Sequence, residues 1–268
     1  MPRILVLFKA CWDVESLGYN SNTREPIFNN VPATLGDYER NAIQTAVDLQ
    51  ATNLDFTIEG LTVATMDHGD NDKVYTDAIS RGGGKKPEDF PVTVLQVPTE
   101  LFPNPANTAK VLGDWLKKQE DIALIIGAQV SNDYHTGIVP PALAEVLNYP
   151  FLGNLAEIKV EGQEIRGKRN EKVRTVFLKA LLPAVCTVTD EVNTPSIPKL
   201  LAIRKAKKSG IVKKEPVEPA EKLTAIKKVK TIRPVQNRKS ILIEEGSPEE
   251  KVDALMEYLK KETILEDL

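Results

Sequence analysis

Short apolar runs alternate with amphipathic stretches through the first two thirds of the chain. Apolar runs bounded by polar segments predict strands at Ile4–Phe8, Leu61–Met66, Val92–Val97 and Ile122–Ile126. Apolar residues spaced three and four apart predict helices at Asp37–Leu54, from about Asp70 to Ser80, and at Asn107–Gln119. Strands and helices that alternate in this way form a parallel sheet with helices on both faces. The sequence therefore predicts an α/β fold.

The pattern changes from Leu155 onward. Leu155–Val160 and Val173–Leu178 have the alternation of strands, and Glu161-Gly162 between them has the composition of a turn. Ala184–Val188 is β-branched and uncharged, which is typical of a strand that is buried on both faces. We expect these strands to add an antiparallel part to the edge of the sheet.

The hydrophobic pattern changes a second time after Lys208. Little periodic structure is visible until a predicted strand at Ile241–Ile243 and a predicted helix from about Ser247 to Glu262. The order Ser-Pro-Glu-Glu at residues 247–250 is a strong helix start, with a cap, a proline at the first position and a carboxylate three residues after the cap. We predict a domain over residues 1–208 and a C-terminal arm over residues 209–268.

Composition excludes several classes of protein. The chain is 41% hydrophobic and 27% charged, values that are ordinary for a soluble globular protein, and it has no apolar run long enough to cross a bilayer. Met1 leads directly into the first strand, so we expect no targeting peptide, no membrane insertion and a cytoplasmic protein. The net charge of −3, and lysines without interleaved aromatic residues, give no reason to expect nucleic-acid binding.

Neither a metal site nor a catalytic group is indicated. Cys11 and Cys186 lie on or beside predicted strands and have no metal-ligand spacing, so they are interpreted as buried thiols in a reducing compartment. His68 and His135 are the only histidines, and neither lies in a zinc-ligand pattern. Nucleophile and P-loop motifs are also missing from the sequence.

The polar segment Gly127–Val139 is the best candidate for a ligand site. It follows a predicted buried strand and precedes a helix that Pro140 and Pro141 open. In such a turn the free N–H donors come from Thr136, Gly137, Ile138 and Val139, and they could hold an anion. A polar loop before a helix is by itself more often only a loop.

The segment Leu182–Lys208 joins a predicted buried strand to a proline-rich loop. Asn193, Pro195 and Pro198 interrupt regular structure, and helical spacing resumes at Leu200, Leu201 and Ile203 before a cluster of lysines. The segment could present leucines to a partner, or Leu200 could be the first core residue of a helix.

These motifs resemble the β-subunit family of electron transfer flavoproteins. The resemblance covers nearly the whole chain: RILVLFKACWD, YERNAIQTAVDL, IIGAQVSNDYHTGIVPPALAEVLNYP, LPAVCTV with N.P and KAKK, and the terminal SILIEEGSPEEKVDALMEYLKKE occur in the family's order. It implies a Rossmann-like domain of the adenine nucleotide α-hydrolase-like type with a C-terminal arm that wraps an α subunit. It also implies an electron carrier without a substrate of its own.

The resemblance further implies two cofactors and two partners. The α subunit would hold most of an FAD, with this chain supplying one wall, and the pocket of this chain would hold AMP or a second FAD. An acyl-CoA dehydrogenase-type flavoprotein would dock on a recognition loop at residues 193–204, through Pro195, Ile197, Leu200, Leu201 and Lys205. The implied cofactor contacts are Lys9, Tyr38, Met66, Gly127, Asn132, Asp133, His135, Thr136, Gly137, Ile138 and Val139.

Several departures from the family leave alternatives open. The first helix begins with Gly36-Asp37 in place of Asn-Pro, Arg40 stands where the family has an acidic residue, and Ser196 replaces an arginine. The loop NDYHTGIV is also about one residue longer than the family's. AMP, a second FAD or an empty pocket are therefore all considered. A bifurcating form that oxidises NADH, and an adenine-nucleotide sensor of another class, are the alternative functions.

Overall fold

The computed structural model describes residues 1–52, 55–65, 71–99, 104–217, 230–235 and 239–262. Its strands, in chain order, are β1 (Arg3–Leu7), β2 (Ala10–Trp12), β3 (Gly18–Tyr19), β4 (Pro26–Ile27), β5 (Ala33–Leu35), β6 (Thr57–Thr65), β7 (Val92–Val97), β8 (Ile122–Ala128), β9 (Phe151–Leu155), β10 (Glu157–Glu161), β11 (Glu164–Glu171), β12 (Arg174–Leu181), β13 (Ala184–Val188) and β14 (Val212–Pro216). Its helices are α1 (Asp37–Thr52), α2 (Asp72–Gly82), α3 (Pro105–Leu116), α4 (Val139–Leu147), α5 (Leu200–Ser209) and α6 (Pro248–Lys261).

A seven-stranded parallel sheet with the order β14-β7-β6-β1-β8-β13-β9 forms the centre of the fold. The predicted α/β class with a parallel sheet is confirmed. β1 pairs with β6 on one side and β8 on the other, so the ends of these three strands lie next to one another. The polar loops that follow them therefore meet at one edge of the sheet.

Alternate residues of β1 show how the two faces of the sheet are filled. Ile4 and Val6 belong to the core that α1 and α2 cover, whereas Leu5 and Leu7 belong to the core under α3 and α4. Each residue of a strand points to the opposite face from the one before it. A continuous apolar run such as that of β1 is thus buried on both sides.

The strands predicted to form an antiparallel edge differ from the prediction. Ala184–Val188 is β13, which lies inside the central sheet and pairs in parallel with β8 and β9. β10, β11 and β12 form a separate three-stranded sheet and do not extend the edge of the central sheet. The predicted strand Leu155–Val160 is also wrong at its start, because the chain bends at Ala156 after Asn154 adopts a φ of 59°. β9 consequently stays in the central sheet as a parallel edge strand, and β10 leaves it.

The C-terminal arm is more ordered at its beginning than predicted. Residues Val212–Pro216 form β14, which pairs in parallel with β7 and extends the central sheet beyond residue 208. The Nε1–H of Trp115 donates to Glu215 at 2.8 Å and fixes this strand to α3. Lys213 and Lys214 make the segment too polar to be recognised as a strand from its sequence. An edge strand needs few apolar residues, so this composition is compatible with its position in the sheet.

Later parts of the arm contact the N-terminal region or lie exposed. The N–H of Arg233 donates to the carbonyl of Arg24 at 2.9 Å, and the Arg233 guanidinium lies 5.2 Å from the ring centroid of Tyr19. The predicted strand at Ile241–Ile243 is wrong, since these residues have no regular structure and pair with no strand in the part described. The predicted capping box at Ser247 and Glu250 is confirmed and starts α6.

No helix within the described ranges is both long enough and apolar enough to cross a lipid bilayer.

Candidate ligand cavity and docking loop

A cavity of about 220 Å³ lies at the carboxyl ends of β1, β6 and β8. Its apolar wall includes Leu7, Phe8, Leu61 and Leu112. The carboxyl edge of a parallel sheet is where α/β proteins bind ligands, because loops there expose backbone N–H groups and helices present their N-termini. The polar side of this cavity is the loop between β8 and α4, which is the candidate ligand segment of the sequence analysis.

Gly137 gives that loop its shape. Its φ is +62°, and a Cβ at this position would lie 2.8 Å from the carbonyl oxygen of Gln129. Only glycine has both the left-handed conformation and the space that this turn needs. The N–H groups of Gly137 and Ile138 donate to no backbone carbonyl of the described chain outside the helices and strands, so they remain available at the start of α4. The turn could therefore hold an anionic group.

The structure places some of the predicted contact residues around the cavity and others beside it. The cavity is lined by six of them: Lys9, Gly127, Thr136, Gly137, Ile138 and Val139. Four others lie outside its lining, namely Tyr38, Asn132, Asp133 and His135. Met66 lies outside the described residues.

Lys9 and Asp133 form a partly buried ion pair at the mouth of the cavity. Lys9 Nζ lies 2.5 Å from Asp133 Oδ1, and the N–H of Trp12 donates to the other carboxylate oxygen at 3.3 Å. Burial alone would raise the pKa of Asp133, but the charge and hydrogen bond of Lys9 hold that pKa below its ordinary value. Lys9 Nζ also lies 4.5 Å from the ring centroid of Tyr134. The positive charge of Lys9 is thus already balanced.

The most unusual residue of the cavity is Glu39, which the sequence analysis missed. It is 2% exposed and lines the cavity, and its Oε1 accepts from the Sγ–H of Cys11 at 3.6 Å. Oε2 is buried without a hydrogen-bond partner among the described residues. Burial raises the pKa of Glu39 to about 7.

The sequence does contain a signal that Glu39 is buried. Glu39 lies three, four and seven residues before Ala42, Ile43 and Ala46, which makes it part of the apolar face of α1. Glutamate is common in the first turn of a helix because it interacts favourably with the helix dipole, so its position there does not by itself indicate burial.

The predicted docking residues lie on an exposed surface. Ile197, Leu200 and Leu201 are 89%, 76% and 64% exposed. The buried residues of α5 are Ala202 and Ala206, which pack toward α2, so the leucines of its first turn face outward. The alternative that Leu200 is a core residue of the isolated chain is therefore wrong. Pro195 is half-buried, and Lys205 Nζ donates to the carbonyl of Lys85 at 3.1 Å.

Hydrogen bonds hold the recognition loop against two helices. The N–H and Oγ–H of Ser196 both donate to Gln44 Oε1 on α1, at 3.0 and 2.9 Å. Arg81 Nη1 on α2 donates to the carbonyl of Ser196 at 2.9 Å. Ser196, which replaces the family's arginine, is thus held in place through its N–H, its hydroxyl group and its carbonyl.

The protein is thus an α/β protein with a parallel central sheet and a cavity at the carboxyl edge of that sheet. The family model described as electron transfer flavoprotein domain matches residues 27–219, well over half of the chain. The chain belongs to the electron transfer flavoprotein family. Membership associates it with electron transport.

Proposed function

We propose that this chain is the β-type subunit of an electron transfer flavoprotein. In this function it pairs with an α subunit that holds most of an FAD, and it receives electrons from an acyl-CoA dehydrogenase-type flavoprotein. FAD, when bound, supplies the redox chemistry of the pair. The described residues of this chain would supply a nucleotide pocket, one wall of the flavin site and the docking surface.

The observation that carries the proposal is the recognition loop. Its apolar side chains Ile197, Leu200 and Leu201 are exposed, although its backbone is held by a hydrogen bond to Gln44 Oε1 and by one from Arg81. Exposed apolar anchors on a pre-ordered segment bind a partner with little ordering cost. Lys207 and Lys208 in the last turn of α5 would attract an acidic partner and make the encounter sensitive to salt.

The cavity supports a mononucleotide rather than a second FAD. Its volume of about 220 Å³ is small, and AMP is the smaller of the two candidate nucleotides. An adenine ring would lie against Leu7, Leu61 and Leu112, while the phosphate would accept from the N–H groups of Gly137 and Ile138. AMP is therefore the ligand that we propose.

Aromatic side chains beside the cavity support a flavin wall. His135 lies edge-on to Tyr38 with 6.4 Å between the ring centroids, and Tyr134 is 39% exposed next to Lys9. Exposed rings of this kind can pack against a planar ring system. We therefore assign the flavin-facing side to Lys9, Tyr38 and the neighbouring loop.

The exposed apolar residues of the C-terminal helix support the proposal that the chain has a stable partner. None of the residues of α6 is buried against the rest of the described chain, and Val252, Leu255 and Met256 form an exposed apolar stripe. The spacing of these residues places them on one face of the helix, which is typical of a helix that packs on another surface. The arm would cover the α subunit in this way.

Co-expression with the α subunit followed by release of bound small molecules under denaturing conditions tests the proposal. One flavin and one AMP per heterodimer is the expected result. Two flavins would favour the bifurcating form. A colourless monomer that binds ATP would instead favour the sensor and would overturn the proposed function.

A further inference from the structure

Asn132 joins the loop between β8 and α4, named the ligand loop (residues 129–138), to the first residue of α1. Asn132 Oδ1 accepts from the N–H of Asp37 at 3.2 Å, and Asn132 Nδ2 donates to Asp37 Oδ2 at 3.0 Å. The first N–H groups of a helix have no acceptor within the helix, so an oxygen from elsewhere has to cap them. Asn132 is therefore a helix cap that the ligand loop supplies to α1.

Gly36 leaves the space that this cap occupies. Glycine has no side chain with which to cap the helix itself, and a Cβ at position 36 would lie 3.1 Å from Asn132 Oδ1 and 2.1 Å from Glu39 Oε2. A serine or aspartate, the residues that usually precede a helix, would crowd both oxygens. The start of α1 thus depends on the ligand loop for its cap.

The same helix holds the recognition loop one and two turns further on. Asn41 and Asn193 donate to each other's carbonyl oxygens at 2.9 and 3.1 Å. Gln44 Oε1 accepts from both the N–H and the hydroxyl group of Ser196. Gln44 lies two turns after Asp37, about 10 Å along the helix. The cap of α1 and the contacts of the recognition loop therefore lie on one short segment of helix.

A bound anion would stabilise the ligand loop. His135 and Gly137 both have left-handed φ values, of 53° and 62°, and the N–H groups of Gly137 and Ile138 have no backbone acceptor among the described residues. A phosphate that accepts from these N–H groups would supply the missing bonds and make local opening of the loop less frequent. Asn132 belongs to the same loop, so its hydrogen bonds to α1 would persist for longer.

We propose that Asn132 is a positioning residue that couples the cavity to the docking surface. A nucleotide in the cavity orders the ligand loop, the loop caps α1 through Asn132, and the capped helix holds the recognition loop ready to dock. The element with two states is the first turn of α1, which is either capped or frayed. This inference rests on the proposed nucleotide and docking functions.

Linkage sets the size of the coupling and makes it reciprocal. One helix cap changes an equilibrium constant by about fivefold, so nucleotide and docking partner should each raise the affinity for the other by at most this factor.

A second route between the two loops runs through the sheet. The ligand loop and the recognition loop follow the neighbouring strands β8 and β13, and the N–H of Gln129 donates to the carbonyl of Val188 at 3.0 Å. This backbone contact does not involve the side chain of Asn132. Substitution of Asn132 therefore separates the route through α1 from the route through the sheet.

Hydrogen exchange of the full chain in the assembly it forms, after removal of bound nucleotide and again at saturating AMP, tests the proposal. In the wild type, AMP should slow exchange of the amides of residues 37–40 and 193–199 by about fivefold. In Asn132→Ala the amides of residues 193–199 should no longer respond. Asn22→Ala, at an exposed position in the turn between β3 and β4, is the matched control and should keep the wild-type response.

A rescue variant distinguishes this role from a general loss of structure. Asn132→Asp combined with Asp37→Asn exchanges donor and acceptor between the two side chains and keeps an oxygen for the N–H of residue 37. The double variant should recover the response to AMP. Asn132→Asp alone places two carboxylates against each other and should not recover it.

The outcomes separate this inference from the function on which it rests. Absence of AMP binding to the wild type in titration calorimetry would overturn the nucleotide function and the coupling together. AMP that binds without slowing exchange in the recognition loop would overturn the coupling alone. A response that persists in Asn132→Ala would assign the coupling to the contact between β8 and β13 and would overturn the role of Asn132.

A second variant tests the same route from its other end should Asn132→Ala not fold or not bind AMP. Gln44→Ala combined with Asn193→Ala removes two side chains that connect the recognition loop with α1. AMP should still slow exchange in residues 37–40 of this variant and should lose most of its effect on residues 193–199. An undiminished effect there would contradict the proposal.

Discussion

Asn41 on α1 and Asn193 in the recognition loop hold each other through both of their amide groups. Asn41 Nδ2 donates to the carbonyl of Asn193 at 2.9 Å and to its Oδ1 at 3.1 Å, while Asn193 Nδ2 donates to the carbonyl of Asn41 at 3.1 Å and to Thr45 Oγ1 at 2.9 Å. Asn41 is buried, so this contact ties the loop to the same helix that carries Glu39. The first turn of α1 lines the cavity, and its next turn holds the recognition loop in place.

Asn193→Ala should loosen the recognition loop without unfolding the domain. The change removes the three hydrogen bonds of the Asn193 side chain and leaves Thr45 without one of its partners, a loss of about 1–2 kcal/mol. Hydrogen exchange of the amides in residues 190–199 should become severalfold faster. Thr194→Ala removes an exposed neighbouring side chain and should change little. Unchanged exchange in Asn193→Ala would contradict the anchoring role.

Leu200→Ala should slow electron transfer from the partner dehydrogenase by about an order of magnitude or more, since a hot-spot side chain contributes about 2 kcal/mol to binding. Flavin content and heterodimer stability should stay unchanged, because Leu200 is exposed in this chain. Val173→Ala, at an exposed position remote in sequence, is the control. Loss of flavin in Leu200→Ala would show that the side chain has a structural role in the assembly.

Lys9→Met should destabilise the domain by about 3 kcal/mol, because it leaves the buried carboxylate of Asp133 without its charged partner. Chemical denaturation measures the loss. The double variant Lys9→Met with Asp133→Asn should recover a large part of it, since the unpaired charge is then absent. Equal stability of the single and double variants would show that the ion pair is not the cause.

The stability of the domain should fall as the pH rises from about 4.5 to 7. Burial raises the pKa of Glu39 from 4.5 to about 7, so the folded state binds more protons than the unfolded state in this interval. The contribution is about 3 kcal/mol at most, given 1.36 kcal/mol per unit of pKa shift. Denaturation at several pH values should show this slope in the wild type and lose it in Glu39→Gln. An identical slope in both proteins would assign the effect to other groups.

Leu255→Asp should weaken the heterodimer at least tenfold, because it places a charge in the apolar stripe of α6. Analytical ultracentrifugation of the co-expressed pair measures the change. Asp253→Ala alters a neighbouring polar position of the helix and serves as the control. Unaltered association of Leu255→Asp would exclude α6 from the interface.

The parts of the fold that depend on local pattern were predictable from sequence. The buried run of β1 and the Ser247 capping box follow from residue type and spacing alone. The position of β10 was not predictable, because it depends on a bend at Ala156 that no turn motif marks. β14 was missed for a similar reason, since its pairing with β7 depends on a strand more than a hundred residues earlier.

The candidate site was only partly predictable. The loop around Gly137 was identified because glycine and polar residues mark the end of a strand. The burial of Glu39 depends on how Lys9, Cys11 and the loop of Asp133 come together, which is a property of the tertiary structure. Charged residues are rarely buried, and Glu39 was therefore not among the candidate residues that the sequence indicated.

β14 also determines where the chain can be shortened. A truncation after Lys208 would remove the strand that covers β7 and would leave a row of unpaired N–H and C=O groups along an apolar strand. Such an open edge recruits strands from other molecules, whereas Lys213, Lys214 and Pro216 make the natural edge a poor template for them. A fragment cut at residue 208 is therefore expected to aggregate, and one that ends after Val217 retains this protection.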